Sequence, residues 1–243
     1  MKRELIQKEG YVIRLSPYKE ADMMVTCFGP EGLFSFLARG IRKLTSKNAA
    51  SCRPLTYSHF SLSVSSTGGN LTLVEGQPEK AMIEKDDLLW MSSLSFFTEI
   101  NSRLLTEVDA KTIYPYFDKA VDLLLTGYSI HSAALLYFAK LLTLLGYGLE
   151  VDHCVLCGKK TDIVGVSFEE GGFICQDCES ETSEKIGVRN LKILRYGFRF
   201  PLNDFGRVSF EKEESLFLIE RLSRYAEDLT GVKLKSVSML SRC

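Results

Sequence analysis

Histidine is scarce in this sequence, with three in 243 residues, at 59, 131 and 153, and none of them sits in a recognisable catalytic grouping. There is no G-x-x-x-x-G-K-[ST] phosphate loop, no G-x-S-x-G nucleophile elbow and no H-E-x-x-H metal helix. The paired carboxylates Asp86-Asp87, Glu169-Glu170 and Glu213-Glu214 suit helix starts or solvated turns better than acid–base work. These absences argue against an enzyme. A bilayer span needs about 20 apolar residues. The most apolar stretch, Ala133 to Leu145, is shorter and is interrupted by Lys140. The opening MKRELIQKEG is too polar for a secretory leader. A cytoplasmic protein without membrane association is therefore expected. Internal repeats and low-complexity linkers are missing too. What remains, 45% hydrophobic and 25% charged, is ordinary for a globular chain, long enough for one large domain or several small ones.

Net charge is also nearly absent, at −1, but the balance hides a segregation. Residues 1–80 carry 11 Lys/Arg against 7 Asp/Glu, residues 81–153 carry 5 against 10, and residues 154–243 carry 14 of each. A basic first third beside an acidic middle suggests that the first third meets a polyanion. The charge is concentrated in FLARGIRKLTSKNAA, Phe36 to Ala50, where Arg39, Arg42, Lys43 and Lys47 occur with no acid in the stretch. The bland alternative is a solvated surface loop.

The first 78 residues have the pattern of short strands. GYVIRLS (10–16), MMVTCFG (23–29), LFSFLAR (33–39), YSHFSLSVS (57–65) and NLTLVEG (70–76) are separated by turn-forming residues, among them Ser-Thr-Gly-Gly at 66–69. In the fourth, Tyr57, His59 and Ser61 share one face, and Phe60, Leu62 and Val64 the other. Five strands in this length fit an OB-fold barrel, with an SH3-like barrel as competitor. Such barrels bind oligonucleotides on a strand face and its loops, and single-strand binders add aromatic platforms. Phe34, Phe36, Tyr57 and Phe60 are candidates for stacking, although some must be core.

From about Pro78 the period becomes helical. Asp86-Asp87 opens a run whose stripe is Leu88, Met91, Leu94/Ser95, Phe97/Thr98, Asn101 and Leu104/Leu105. Further helices are predicted over 112–127, 131–148, 189–199 and 211–231. The run at 131–148 is apolar nearly all round, and the one at 211–231 carries a stripe of Leu216, Ile219, Leu222, Tyr225/Ala226 and Leu229. The fold class expected is α+β and multi-domain: an OB-fold barrel at 1–78, an α-helical domain at 79–150 and 182–243, and a cysteine insert at 151–181.

That insert holds four of the seven cysteines, Cys154, Cys157, Cys175 and Cys178, as C-x2-C-x17-C-x2-C. This is the spacing of a four-cysteine zinc site. Two residues between ligands let a tight turn aim both thiolates at one ion, and two such knuckles complete a tetrahedron. Gly158 and Gly171-Gly172 supply turns. Structural Zn²⁺ is expected, with an iron–sulfur cluster as the alternative. Four thiolates leave no open position for substrate, so the metal would hold together a roughly 30-residue insert too small to fold alone. His153 is adjacent but superfluous. Cys27, Cys52 and Cys243 are scattered and suit ordinary core or surface thiols.

In their order along the chain, these features resemble the RecO family of bacterial recombination and repair mediators. The resemblance is carried by Gly10-Tyr11-Val12-Ile13, Glu20-Ala21-Asp22, Val25-Thr26, Phe28-Gly29-Pro30-Glu31-Gly32, Ala38-Arg39-Gly40-Ile41-Arg42-Lys43, Arg53-Pro54-Leu55, and the cysteine set following Leu144-Leu145-Gly146-Tyr147. It implies a non-enzymatic protein that binds single- and double-stranded DNA and anneals complementary strands. It also implies association with RecR and with single-stranded DNA-binding protein, and help in loading RecA onto coated strands. Arg39, Arg42, Lys43 and Lys47, with Arg53 and Arg14 as secondary candidates, would hold phosphates. A zinc-stabilised protein scaffold and an RNA-binding accessory factor are the competing functions.

Overall fold

Alternating apolar residues, among them Val12, Val25, Cys27, Phe36, Phe60 and Leu62, meet inside a closed barrel. The computed structural model describes residues 4–65, 69–80, 87–107 and 109–242. The barrel is built from β1 (Leu5–Pro17), β2 (Met23–Gly29), β3 (Gly32–Ala38), β4 (Tyr57–Val64) and β5 (Leu71–Lys80). Its order is β1-β2-β3-β5-β4. β4 returns antiparallel to β1, and β3 meets β5 in parallel with Leu37 opposite Thr72. This is the five-stranded barrel expected from the sequence, and the order favours the OB-fold over its SH3-like competitor. Part of the turn expected at 66–69 lies outside the described residues.

Two strand limits differ from expectation. β1 starts at Leu5 because Leu5 to Glu9 pair with Ser63 to His59 of β4. Gln7 and Glu9 complete a ladder there without adding to the core, so an apolar pattern does not reveal them. β5 continues to Lys80, through the point where a helix was expected to begin. Pro78 lies opposite Ser58 of β4, six residues beyond the β3 contact at Thr72. A proline is tolerated where its missing N–H faces no ladder.

α1 (Leu88–Leu104) starts as read, with Asp87 Oδ1 accepting from the Leu89 N–H at 3.0 Å. Asp86 lies outside the described residues. The buried face differs from the predicted stripe: Trp90, Ser93, Phe96, Phe97, Ile100 and Leu104 are inside, and Leu88 and Met91 are exposed. α1 packs on β1. α2 (Ala110–Leu125) follows. The chain forms two compact units, one reaching Pro115 and the other spanning Tyr116–Arg242.

In the second unit α3 (Ile130–Leu144) is buried nearly all round. Even Lys140 is inside. Its Nζ donates to the Phe198 carbonyl at 3.4 Å and lies 4.7 Å from the Phe200 ring centre, and burial pulls its pKa down. β6 (Glu150–Cys154), β7 (Ile163–Ser167), β8 (Gly172–Cys175) and β9 (Glu184–Lys185) form a small sheet in the order β6-β8-β7-β9. α4 (Val188–Arg199) and α5 (Lys212–Thr230) pack on α3, and α6 (Val237–Leu240) packs on α5. On α5 the predicted Ile219, Leu222, Tyr225 and Ala226 are buried, with Ser215 and Leu218 beside them, and only the end of the stripe, Leu229, is exposed. No helix among the described residues is long and apolar enough to cross a membrane.

β1 and β2 cross so closely that a Cβ on Gly29 would lie 2.0 Å from the Glu9 carbonyl oxygen. Gly29→Ala is therefore expected to destabilise the protein by about 1–3 kcal/mol, the cost of overpacking. Urea denaturation monitored by circular dichroism measures it. An unchanged midpoint would contradict the close crossing.

Candidate functional site

The basic loop leaves β3 at Ala38 and is tied to the barrel at both ends. Near its start the Gly40 N–H donates to Asp22 Oδ1 at 2.7 Å, and Gly40 takes a left-handed φ of 62°. The Arg42 N–H donates to the Ala21 carbonyl at 3.2 Å, and its Nη1 to the Glu20 carbonyl at 3.3 Å. Successive tight turns follow: the Lys43 N–H donates to Gly40 O and the Ser46 N–H to Lys43 O. Near its end Asn48 bridges to β5, donating from Nδ2 to the Val74 carbonyl at 3.3 Å and accepting from the Gly76 N–H at 3.1 Å. A short 3₁₀ turn, Ala50–Cys52, then leads to Arg53.

Arg39, Arg42, Lys43, Lys47, Arg53 and Arg14 are all exposed, and all belong to the barrel unit. Among the described residues Arg14, Arg39, Arg42, Lys43 and Lys47 form no ion pair. Arg14 lies on the outer face of β1, where its Nη2 donates to Thr26 Oγ1 at 3.4 Å, and Thr26 Oγ1 lies 2.9 Å from Ser35 Oγ. This polar row crosses β1, β2 and β3. The cations of the second unit are treated differently. Arg195 and Arg199 bind Asp152 at 3.0 and 2.6 Å, Arg189 binds Glu214 at 2.6 Å, and Lys159 holds Asp162 and Asp177 at 2.9 Å each. The loop therefore offers positive charge that no carboxylate of the described fold neutralises.

The aromatic candidates for base stacking are mostly spent on the core. Phe36, Phe60 and Tyr57 are buried, and Phe34 is half-buried with its ring centre 6.2 Å from those of Phe36 and Phe60. Cys27 and Cys52 are also barrel-core thiols. Burial raises both, Cys52 to about 11. Cys243 lies outside the described residues.

Two positions that the sequence did not single out by role now explain the loop's shape. Asp22 stands within the Glu20-Ala21-Asp22 triplet, and Asn48 follows Lys47 directly. Neither partner is near in sequence, so spacing gives no signal for them.

The four cysteines of the insert come together. Cys154 ends β6, Cys175 ends β8, Cys157 lies in the turn after β6, and Cys178 closes the 3₁₀ turn Gln176–Cys178. Their Sγ atoms all lie within 4.8 Å of one another, with Cys157 and Cys175 at 3.6 Å. Tetrahedral thiolate coordination at about 2.3 Å requires sulfurs roughly 3.8 Å apart, so the set is compatible with a metal site. The turn is closed by the Gly158 N–H donating to the Cys154 carbonyl at 2.8 Å, with φ of 75° at Gly158. For Cys154, burial raises the thiol, but backbone N–H groups of Cys175, Cys157 and Leu156 outweigh it and bring it to about 6. Cys178, hydrogen-bonded to Cys157 and crowded by Cys175 and Cys154, is pushed up to about 12. Four such sulfurs cannot all ionise without a cation among them. His153 stays outside the set, its Nδ1 3.3 Å from Glu150 Oε1.

A family model described as Recombination protein O N terminal matches residues 1–79, and one described as Recombination protein O C terminal matches residues 85–238. The chain is similar to proteins named DNA repair protein RecO from Bacillus cytotoxicus, Bacillus mycoides and Bacillus anthracis. Each is 29% identical over 239 residues, and each match covers 96% of both chains.

Because the Gly40–Asp22 bond anchors the loop, Asp22→Ala is expected to leave the barrel folded and free the loop's base. A lost charge-assisted hydrogen bond is worth about 1.5–3 kcal/mol, or at least tenfold in hydrogen-exchange protection of the Gly40 amide. Unchanged protection would mean that Asp22 does not hold the loop.

Proposed function

The chain belongs to the RecO family, and we propose that it serves DNA repair and homologous recombination as a non-catalytic mediator in the bacterial cytoplasm, at the nucleoid. It binds single- and double-stranded DNA through Arg39, Arg42, Lys43 and Lys47, with Arg14 and Arg53 as flanking contacts. The observation that carries this reading is the braced loop whose cations have no acidic partner among the described residues. Phosphate contacts give affinity without sequence preference and leave base edges free. Two complementary strands held this way have their mutual repulsion screened and can pair, so annealing needs no nucleotide cofactor. Family membership supports the finer steps: association with RecR and with single-stranded DNA-binding protein, and assistance to RecA on coated strands. We assign DNA binding to residues 1–78, a helical domain to 79–150 and 182–243, and a metal-held insert to 151–181.

For the insert we propose structural Zn²⁺ held by Cys154, Cys157, Cys175 and Cys178. The ion would cross-link the small sheet and neutralise its thiolates, and with four sulfur ligands it would leave no position for substrate. One equivalent of zinc by elemental analysis is expected, lost in Cys154→Ser/Cys175→Ser. The thermal midpoint should then fall by roughly 5–10 °C, the shift for a few kcal/mol at this chain length. Visible absorbance would indicate an iron–sulfur cluster instead, and metal-free protein of unchanged midpoint would sink the assignment.

The DNA reading is tested by fluorescence anisotropy of a labelled single-stranded oligonucleotide over a salt series. Replacing Arg39, Arg42, Lys43 and Lys47 by alanine should flatten log K against log salt by about 3, since each single-strand phosphate contributes roughly 0.7. Tight binding unchanged by the substitutions would move the site elsewhere. No binding by folded, metal-loaded wild type would favour a protein scaffold, and preference for RNA would favour an RNA-binding factor.

A further inference from the structure

At the outer turn of the basic loop one side chain has no cover at all. Leu44 exposes 106% of the reference surface of a leucine, whereas every other exposed large apolar side chain among the described residues shows 66% or less. Its neighbours are Arg42, Lys43 and Lys47, all exposed cations. The turn beneath it is braced. The Lys43 N–H donates to Gly40 O at 3.1 Å on one side, the Ser46 N–H to Lys43 O at 3.0 Å on the other, and Asn48 fastens the segment to β5. Leu44 is thus held out on a braced turn whose sequence neighbours Arg42, Lys43 and Lys47 are exposed cations.

A partner that covers this feature must bring anionic groups to the cations and an apolar surface to the leucine within one residue's reach. A single strand of nucleic acid has that combination, with phosphates alternating with base faces. We propose that Leu44 is a wedge that enters between neighbouring bases of a bound single strand while the flanking cations hold the phosphates on either side. The inference rests on the DNA-binding reading of the loop and adds a contact that phosphate binding does not supply. Apolar side chains of this size unstack base steps in other nucleic-acid complexes. It also answers the shortage of aromatic platforms, since Phe36, Tyr57 and Phe60 are buried. Bases parted at one step are turned away from their own strand's stack and presented to an incoming complement.

The test compares wild type, Leu44→Ala and Leu44→Phe on a single strand carrying 2-aminopurine, with affinity measured over a salt series. Circular dichroism checks folding, which an uncovered side chain does not affect. Leu44→Ala is expected to lower affinity about fivefold at every salt concentration, from roughly half the burial value of a leucine. The slope against log salt should not change. The 2-aminopurine fluorescence that rises on wild-type binding should stay low with Leu44→Ala and be restored by Leu44→Phe. Wild type that binds with its full salt slope while Leu44→Ala matches it in affinity and fluorescence overturns the wedge alone. Wild type that binds no strand overturns the loop reading and the wedge with it.

Discussion

The hydrogen bond from the Gly40 N–H to Asp22 Oδ1 sets the character of the whole basic loop. An aspartate beside four cations would ordinarily pair with one of them and cancel its charge. Here the carboxylate accepts from a backbone amide, and the Arg42 guanidinium donates to the Glu20 carbonyl instead of to an acid. The loop gains an anchor without an ion pair. A disordered basic segment could carry equal charge, but it would lose conformational freedom when a ligand ordered it. A loop fixed at Asp22 and again at Asn48 has met that cost during folding. Its cations stand where an extended anion can touch several at once.

The basic loop and the small sheet of the second unit place their charges differently. The barrel has a continuous apolar interior, from Val12 and Val25 to Phe60 and Leu62, that closes on itself, and its ion pairs, such as Lys8 with Glu31, fall outside the basic loop. Within it, Arg39, Arg42, Lys43 and Lys47 form no ion pair among the described residues. The small sheet of β6 to β9 is short of core and relies on other ties. Lys159 links Asp162 to Asp177 across the cysteine knuckles, and Arg195 and Arg199 join Asp152 of β6 to α4. Exposed pairs of this kind contribute little individually. With the proposed Zn²⁺ among them the four sulfurs would be the stronger tie, because the ion would join two strand ends and two turns at once.

Much of this was legible in the sequence. Strands β2, β3 and β4 and the four-cysteine set follow from local patterns, where residue type and spacing determine geometry directly. Helix positions were legible as well, but the buried face of α1 was not. On α1 the exposed Leu88 and Met91 mimic a core stripe, and the true face includes Trp90 and Ser93. A helix with apolar residues on most sides has no unique stripe until its neighbours are known. The polar start of β1 and the Pro78 end of β5 escaped for a related reason. They belong to the sheet through pairing with β4, and a ladder bond carries no signature in side-chain polarity. The loop's anchors were the least legible. Asp22 and Gly40 are 18 residues apart, and Asn48 and Gly76 are 28 apart. The sequence marks the charge of the loop but not its shape.

In the proposed DNA-binding role, shape would bear on function through the order of events on a bound strand. Phosphate attraction is long-ranged and forgiving, so in that role it would bring a strand to the loop in any register. Contact with bases is short-ranged and demands that the strand be close and its stack accessible. Had the candidate aromatics been exposed, both tasks could have fallen to the barrel face. With Phe36, Tyr57 and Phe60 committed to packing, the barrel supplies rigidity and the polar row of Arg14, Thr26 and Ser35, and in the proposed reading the loop would be left to meet the bases. A surface of this kind would grip the backbone firmly and the bases lightly. Annealing requires that combination, because a protein that stacked every base of a strand would compete with the complement for it.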